Sequence, residues 1–127
     1  MVHLEKRLMR TQMIDESVLH KIQIDLGLET LQELLPSFLE NLKLSMIKMN
    51  EASQKKDLKN ISFIAHSLKS SARTVGALYF AGICSQLEKL KNPEDIQQAR
   101  LLIGELIESE KQIRIAIETF IKNQAAT

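Results

Sequence analysis

The stretch Asp57-Leu58-Lys59-Asn60-Ile61-Ser62-Phe63-Ile64-Ala65-His66-Ser67-Leu68-Lys69-Ser70-Ser71-Ala72-Arg73-Thr74-Val75-Gly76 carries two helical patterns at once. Leu58, Ile61, Ala65, Leu68, Ala72 and Val75 recur at spacings of three and four. That is the seam of a helix burying one side in a bundle. Asp57 suits the N-cap, where its carboxylate can meet the free amides of the first turn. Gly76 is a natural stop. At about 100° per residue, Lys59, Phe63, His66, Ser70 and Arg73 form a second, continuous stripe on the opposite side.

The rest of the chain reads the same way. A helix begins at Asp15, with Val18, Leu19, Ile22 and Leu26 as its apolar stripe, and stops at Gly27. A longer one runs from about Glu29 to Gln54, with Leu31, Leu34, Leu35, Phe38, Leu42, Ser45 and Met49 on one side. Pro36 lies inside it and is expected to bend the helix without ending it. After Gly76, residues from about Leu78 to Lys91 place Phe80, Ile83, Cys84, Leu87 and Leu90 inward. Asn92-Pro93-Glu94-Asp95 then supplies a cap, a proline for the first helical position and two acids facing the positive helix end. The last helix reaches about Lys122 along Ile96, Ala99, Ile103, Leu106, Glu110, Ile113, Ile117 and Phe120, with Glu110 the one charged member.

Four Gly, two Pro and no Asn-Gly or Asp-Gly pair leave no hairpin signal. The expected fold is all-α: an antiparallel up-down-up-down four-helix bundle with an additional N-terminal helix packed at one end. The expected domain spans 13–123, preceded by a segment 1–12 in which Leu4, Leu8 and Met9 suggest a short helix, and followed by a disordered tail 124–127.

The 127 residues suffice for one domain that buries roughly two-thirds of its unfolded surface. Seventeen Lys and Arg against sixteen Asp and Glu leave +1, which disfavours nucleic-acid binding through a large positive field. The single Cys84 excludes a disulfide framework and a Cys-rich zinc site, and suits a reducing cytoplasm. No apolar run approaches the ~18 residues needed to cross a bilayer. The start, Met1 to Arg7, has no long apolar core and is not expected to be a secretory signal.

The outward stripe is the part with chemistry. Phe63 offers an apolar ring one turn before His66, while Ser67, Ser70 and Ser71 keep the surface shallow. Such a surface suits docking by another protein. Residues 55–75 hold five cations against Asp57 alone, a net of +4 that favours an anionic partner or intermediate. A water-facing imidazole keeps a nucleophilic ring nitrogen when neutral, and histidine can carry covalent intermediates. Were it to take a phosphoryl group, Lys69 stands about one turn away to balance the charge.

Ala65-His66-Ser67-Leu68-Lys69-Ser70-Ser71-Ala72-Arg73-Thr74-Val75-Gly76-Ala77 resembles the signature of the histidine-containing phosphotransfer (HPt) domain of bacterial multistep phosphorelays. Asp15, Gly27, Phe38-Leu39, Asp57 and Leu87-Glu88 fall where that family has similar residues, so the likeness covers roughly Asp15 to Thr119. The resemblance implies that His66 accepts a phosphoryl group on Nε2 from a receiver-domain phosphoaspartate and returns it to another receiver aspartate. It implies that Lys69 neutralises that group and that Glu88 holds Nδ1. Phe63, Ser67, Ser70, Arg73 and Gly76 would form the docking face. Ser70 departs from the family, where glycine is common. No cofactor is implied, since Mg²⁺ belongs to the receiver, and no ATP-dependent kinase activity is expected.

The implied partners are response-regulator receiver domains and a hybrid sensor histidine kinase. Neither nucleic acid nor membrane is expected, and the chain is expected to be a cytoplasmic monomer. An alternative of another class is a helical adaptor that binds and inhibits a receiver or kinase without carrying phosphate. His3 and His20 read as ordinary solvated histidines, Cys84 as packing, and the five Met residues as gap-fillers. No Gly-rich phosphate loop or nucleophile–base motif points to another reaction.

Overall fold

The computed structural model describes residues 13–125. Residues 1–12, where a short helix was expected, and residues 126–127 lie outside the described residues. Among the described residues five α-helices follow in order: α1 (Glu16–Leu26), α2 (Leu28–Gln54), α3 (Leu58–Thr74), α4 (Leu78–Glu88) and α5 (Ile96–Ala125), with a 3-10 turn at Pro93–Asp95 before α5. No strand occurs among the described residues.

Helix α2 packs on α3, α3 on α4, α4 on α5 and α5 on α2, which closes a ring of four; α1 lies against α2. Phe80, Leu35, Leu42, Met49, Ile61, Leu68, Leu87, Leu106, Ile113 and Ile117 are wholly enclosed. Every member of the α3 seam from Leu58 to Val75 is buried, as its period requires. Glu110 meets Arg114 one turn on, at 3.3 Å, and Arg114 also reaches the Leu39 carbonyl oxygen at 3.4 Å. Arg100 donates to the Ser53 carbonyl at 3.2 Å, a second bond to an oxygen in the last turn of α2 that also accepts from the Lys56 amide.

The caps sit where the side chains demand. Asp15 Oδ1 accepts from the Ser17 amide at 3.0 Å, and Asp57 Oδ1 from the Asn60 amide at 3.1 Å. At the entrance to α5 the Asn92 amide donates to Asp95 Oδ2 at 3.2 Å. Pro36 lies within an unbroken α2. Its ring and the Gln32 side chain are both exposed, so the carbonyl left without an amide partner sits on the wet side of the helix.

Two expected boundaries shift, and one residue expected inward turns outward. Helix α4 ends at Glu88, not Lys91, because the Lys89 and Leu90 amides turn back to Gln86 and Leu87 in 3-10 fashion, each at 3.2 Å. Helix α5 extends through Gln124 and Ala125, which therefore belong to the helix and not to a tail. Leu26, expected inward, is 61 % exposed, since α1 has only its Leu19 side sealed.

Candidate functional site

The cap at Asp57 and the seam from Leu58 to Ala72 set the rotation of α3 against the bundle. With that face inside, Lys59, Phe63, His66, Ser67, Ser70 and Arg73 all stand on the exposed side. The His66 side chain is 74 % exposed, and Phe63 is 75 % exposed. The Phe63 ring borders a polar hollow of about 430 Å³ between α2 and α3, whose other walls include Asn41, Ser45, Lys48 and Ser67.

Helix α4 runs beside α3 and delivers its last residue, Glu88, between His66 and Lys69. The two oxygens of one carboxylate serve both neighbours. Oε1 meets His66 Nδ1 at 2.5 Å, and Oε2 accepts from Lys69 Nζ at 2.5 Å. Both Glu88 and Lys69 are part-buried, while the imidazole is open to water. The Lys69 hydrogen bond holds the Glu88 carboxyl below the usual carboxylate range. Partial burial opposes that shift, and the His66 contact adds to it.

An ionised carboxylate can only accept, so Nδ1 must be the N–H donor in this contact. The neutral ring is then the Nδ1–H tautomer, and its lone pair lies on Nε2. Among the described residues, Nδ1 is the ring nitrogen with a hydrogen-bonding partner. The arrangement therefore presents a nucleophilic nitrogen outward on a ring whose rotation and tautomer are held from behind. It can also steady the positive charge that the ring acquires once Nε2 forms a bond.

Cys84 lies one turn before Glu88 and is fully enclosed. Burial pushes its thiol up to about 12, the Glu88 charge adds to that, and Lys69 partly opposes it. It stays a protonated packing group. His20, although exposed, sets its ring edge-on to Phe120 at 5.2 Å between centroids.

One expectation needs correction. Gly76 does not belong to the expected docking face. It is buried, with φ +83°, and a Cβ there would stand 2.8 Å from the Asp15 carbonyl oxygen and 3.1 Å from the Val18 Cβ. The Asp15 amide also donates to the Gly76 carbonyl at 2.9 Å, which ties the entrance of α1 to the α3–α4 turn. Lys69, expected to lie beside the imidazole, is also engaged by Glu88. Periodicity gave no sign of that pair, because its members stand 19 residues apart on different helices.

A family model described as the Hpt domain matches residues 24–122. Among solved structures, histidine-containing phosphotransfer protein B from Pseudomonas aeruginosa PAO1 is similar in fold, with a TM-score of 0.76 and 23 % sequence identity. That match covers 87 % of this chain and 96 % of the other. A search of curated proteins finds no match.

Proposed function

The chain belongs to the Hpt domain family, and from that membership we propose that it is a phosphorelay protein carrying a phosphoryl group on His66. Nε2 attacks the phosphorus of a receiver-domain phosphoaspartate. The N–P bond forms as the P–O bond to the aspartate breaks, and the aspartate leaves as a carboxylate. The reverse displacement, by the aspartate of another receiver, returns His66 to its starting state. The receiver brings its own Mg²⁺.

Each residue of the cluster has a share in this. Glu88 keeps the proton on Nδ1, so Nε2 is the reacting nitrogen, and its negative charge offsets the imidazolium formed by attack. Lys69 is pre-positioned by the same carboxylate. When the dianionic phosphoryl group arrives, the ammonium can share its donors between Glu88 and the phosphoryl oxygens. Phe63 supplies an apolar contact for the receiver, and Ser67, Ser70 and Arg73 complete a shallow face suited to transient docking. Response regulators and kinases are the partners with which such proteins work.

The ring of four helices is read as antiparallel up-down-up-down, which the short links at 55–57, 75–77 and 89–95 support. No helix among the described residues is long and apolar enough to cross a membrane. A cytoplasmic monomer is the setting in which this role fits best.

The observation that carries the reading is the Glu88 carboxylate bound to Nδ1 behind an open imidazole. Incubation with a phosphorylated receiver should label the chain with acid-labile, base-stable phosphate, and His66→Gln should abolish the label while leaving the melting curve in place. Receiver binding without label would overturn the proposal in favour of an adaptor.

A further inference from the structure

A groove of about 360 Å³ lies between the first turns of α3 and the link that leaves α4. Leu58, Lys59 and Ser62 line its α3 side, and Leu90 and Lys91 the other. Leu58 is buried and Leu90 half-buried, so the floor is hydrocarbon, while both lysines are exposed. The lining contains no acid. Among the described residues neither ammonium has an ion-pair or hydrogen-bond partner. Lys55, Lys56 and Lys89 stand exposed beside them in the chain. Of the neighbouring acids, Asp57 accepts from the Asn60 amide and Asp95 from the Asn92 amide, which leaves Glu94. Two like charges facing one groove repel each other, and an anion set between them relieves both.

The place of the groove points to its occupant. The Ser62 hydroxyl donates to the Glu88 carbonyl oxygen at 3.5 Å, which joins the groove wall to the residue behind the imidazole. Lys91 follows Glu88 by three positions, and Lys59 precedes His66 by seven on the same outward stripe. Seven residues of helix rise about 10 Å. Even a small transient interface covers about 600 Å² a side, a disc of roughly 14 Å radius. A protein centred on His66 therefore lies over the groove as well, and meets two unpaired cations there.

Resting on the reading of His66 as a site that receivers visit, we propose that this groove selects among them. It takes an acidic side chain with an apolar neighbour from the receiver surface beside the phosphorylated aspartate. The carboxylate lies between Lys59 and Lys91, and the apolar neighbour rests on Leu58 and Leu90. A receiver with a carboxylate at that place is drawn in and held, and one with a cation there is repelled. Partner choice then resides about 10 Å along α3 from the reacting nitrogen, apart from the chemistry of His66.

The test uses the full chain and the receiver domains of the source organism, each loaded from acetyl phosphate. Affinity is read by calorimetry, and transfer by initial rate against receiver concentration. Lys59→Glu/Lys91→Glu is compared with Lys21→Glu/Lys43→Glu, which makes the same change in total charge at exposed positions away from the groove. The groove variant should weaken its preferred receivers by about tenfold or more and flatten their salt dependence. The half-saturating concentration should rise while the maximal rate stays within about twofold. Replacing the matching acid of such a receiver by Lys should restore binding to the groove variant. Equal losses in the two variants would overturn the proposal, since the net field alone would then act. So would unaltered affinity, or a fall confined to the maximal rate. Duplex DNA held by wild type and released by the groove variant, with receiver affinity unchanged, would give the groove to nucleic acid. Binding without label would remove the carrier reading alone, because the affinity arm decides the groove by itself.

Discussion

Ser70 and Gly76 belong to the same short motif, and both are small, but for unrelated reasons. Ser70 is exposed beside His66, where smallness keeps a surface approachable. Gly76 is buried under Asp15 and Val18, where no side chain fits and the backbone needs φ +83°. In the proposed function one end of α3 is shaped by what docks on it, and the other by what already packs on it. A motif read along the sequence merges the two, and only the packing separates them.

Placing the same residue at both positions should expose the difference. Gly76→Val combines a left-handed backbone, costing roughly 1–2 kcal/mol, with overpacking against a fixed carbonyl, costing roughly 1–3 kcal/mol. A loss on the order of 3 kcal/mol, or about 10 °C in Tm for a chain of this size, is expected by thermal unfolding. Ser70→Val should cost under about 1 kcal/mol and act instead on receiver affinity. Equal melting of the two variants would break the comparison.

Lys69→Ala sharpens it from the chemical side. Loss of the cation should slow phosphoryl transfer by roughly tenfold to a hundredfold, with helix content preserved. The same variant carries a pH signature. Because Lys69 holds the Glu88 carboxyl below its ordinary range, the pair's stabilisation is complete above the unfolded carboxylate value. It is lost as pH falls through the lowered folded value. The melting gap between wild type and Lys69→Ala should therefore be widest near neutrality and close on acidification. A gap that ignores pH would mean the carboxylate is not its source.

Phe63→Ala addresses the proposed docking face alone. An exposed ring contributes little to the fold, so stability should stay within about 0.5 kcal/mol, while receiver affinity falls by about tenfold. A sharp drop in melting with unchanged affinity would assign the ring to packing.

Much of this was legible from periodicity. The α3 seam, the caps at Asp15 and Asp57 and the outward stripe through His66 depend on spacings within one helix, which a sequence displays directly. The remainder depends on helices meeting. Gly76 is excluded from the surface by Asp15, 61 positions earlier, and Lys69 is engaged by a residue on α4. The position of Glu88 behind the ring came from family resemblance, since nothing within α3 points to it. The end of α4 was misplaced because no breaker precedes Asn92, and the 3-10 turn-back at Lys89 has no residue signature of its own.

The smallest expected effect separates the two penalties combined at Gly76. Lys56 is the one non-glycine residue with positive φ among those described, at 56°. It closes α2 much as a glycine commonly would, with its amide on the Ser53 carbonyl at 3.0 Å and the Asp57 amide on the Ala52 carbonyl at 2.9 Å. Lys56 is exposed and already carries a Cβ, so it feels the backbone term without a packing clash. Lys56→Gly should relieve roughly 1–2 kcal/mol of left-handed strain and add roughly 0.5–1 kcal/mol of unfolded-chain entropy. The net gain, about 0.5–1 kcal/mol, is readable in urea unfolding as a higher midpoint at unchanged slope. If the gain instead approaches the whole Gly76→Val loss, backbone strain accounts for both joints. The tight contact with Asp15 would then add nothing to the requirement for glycine.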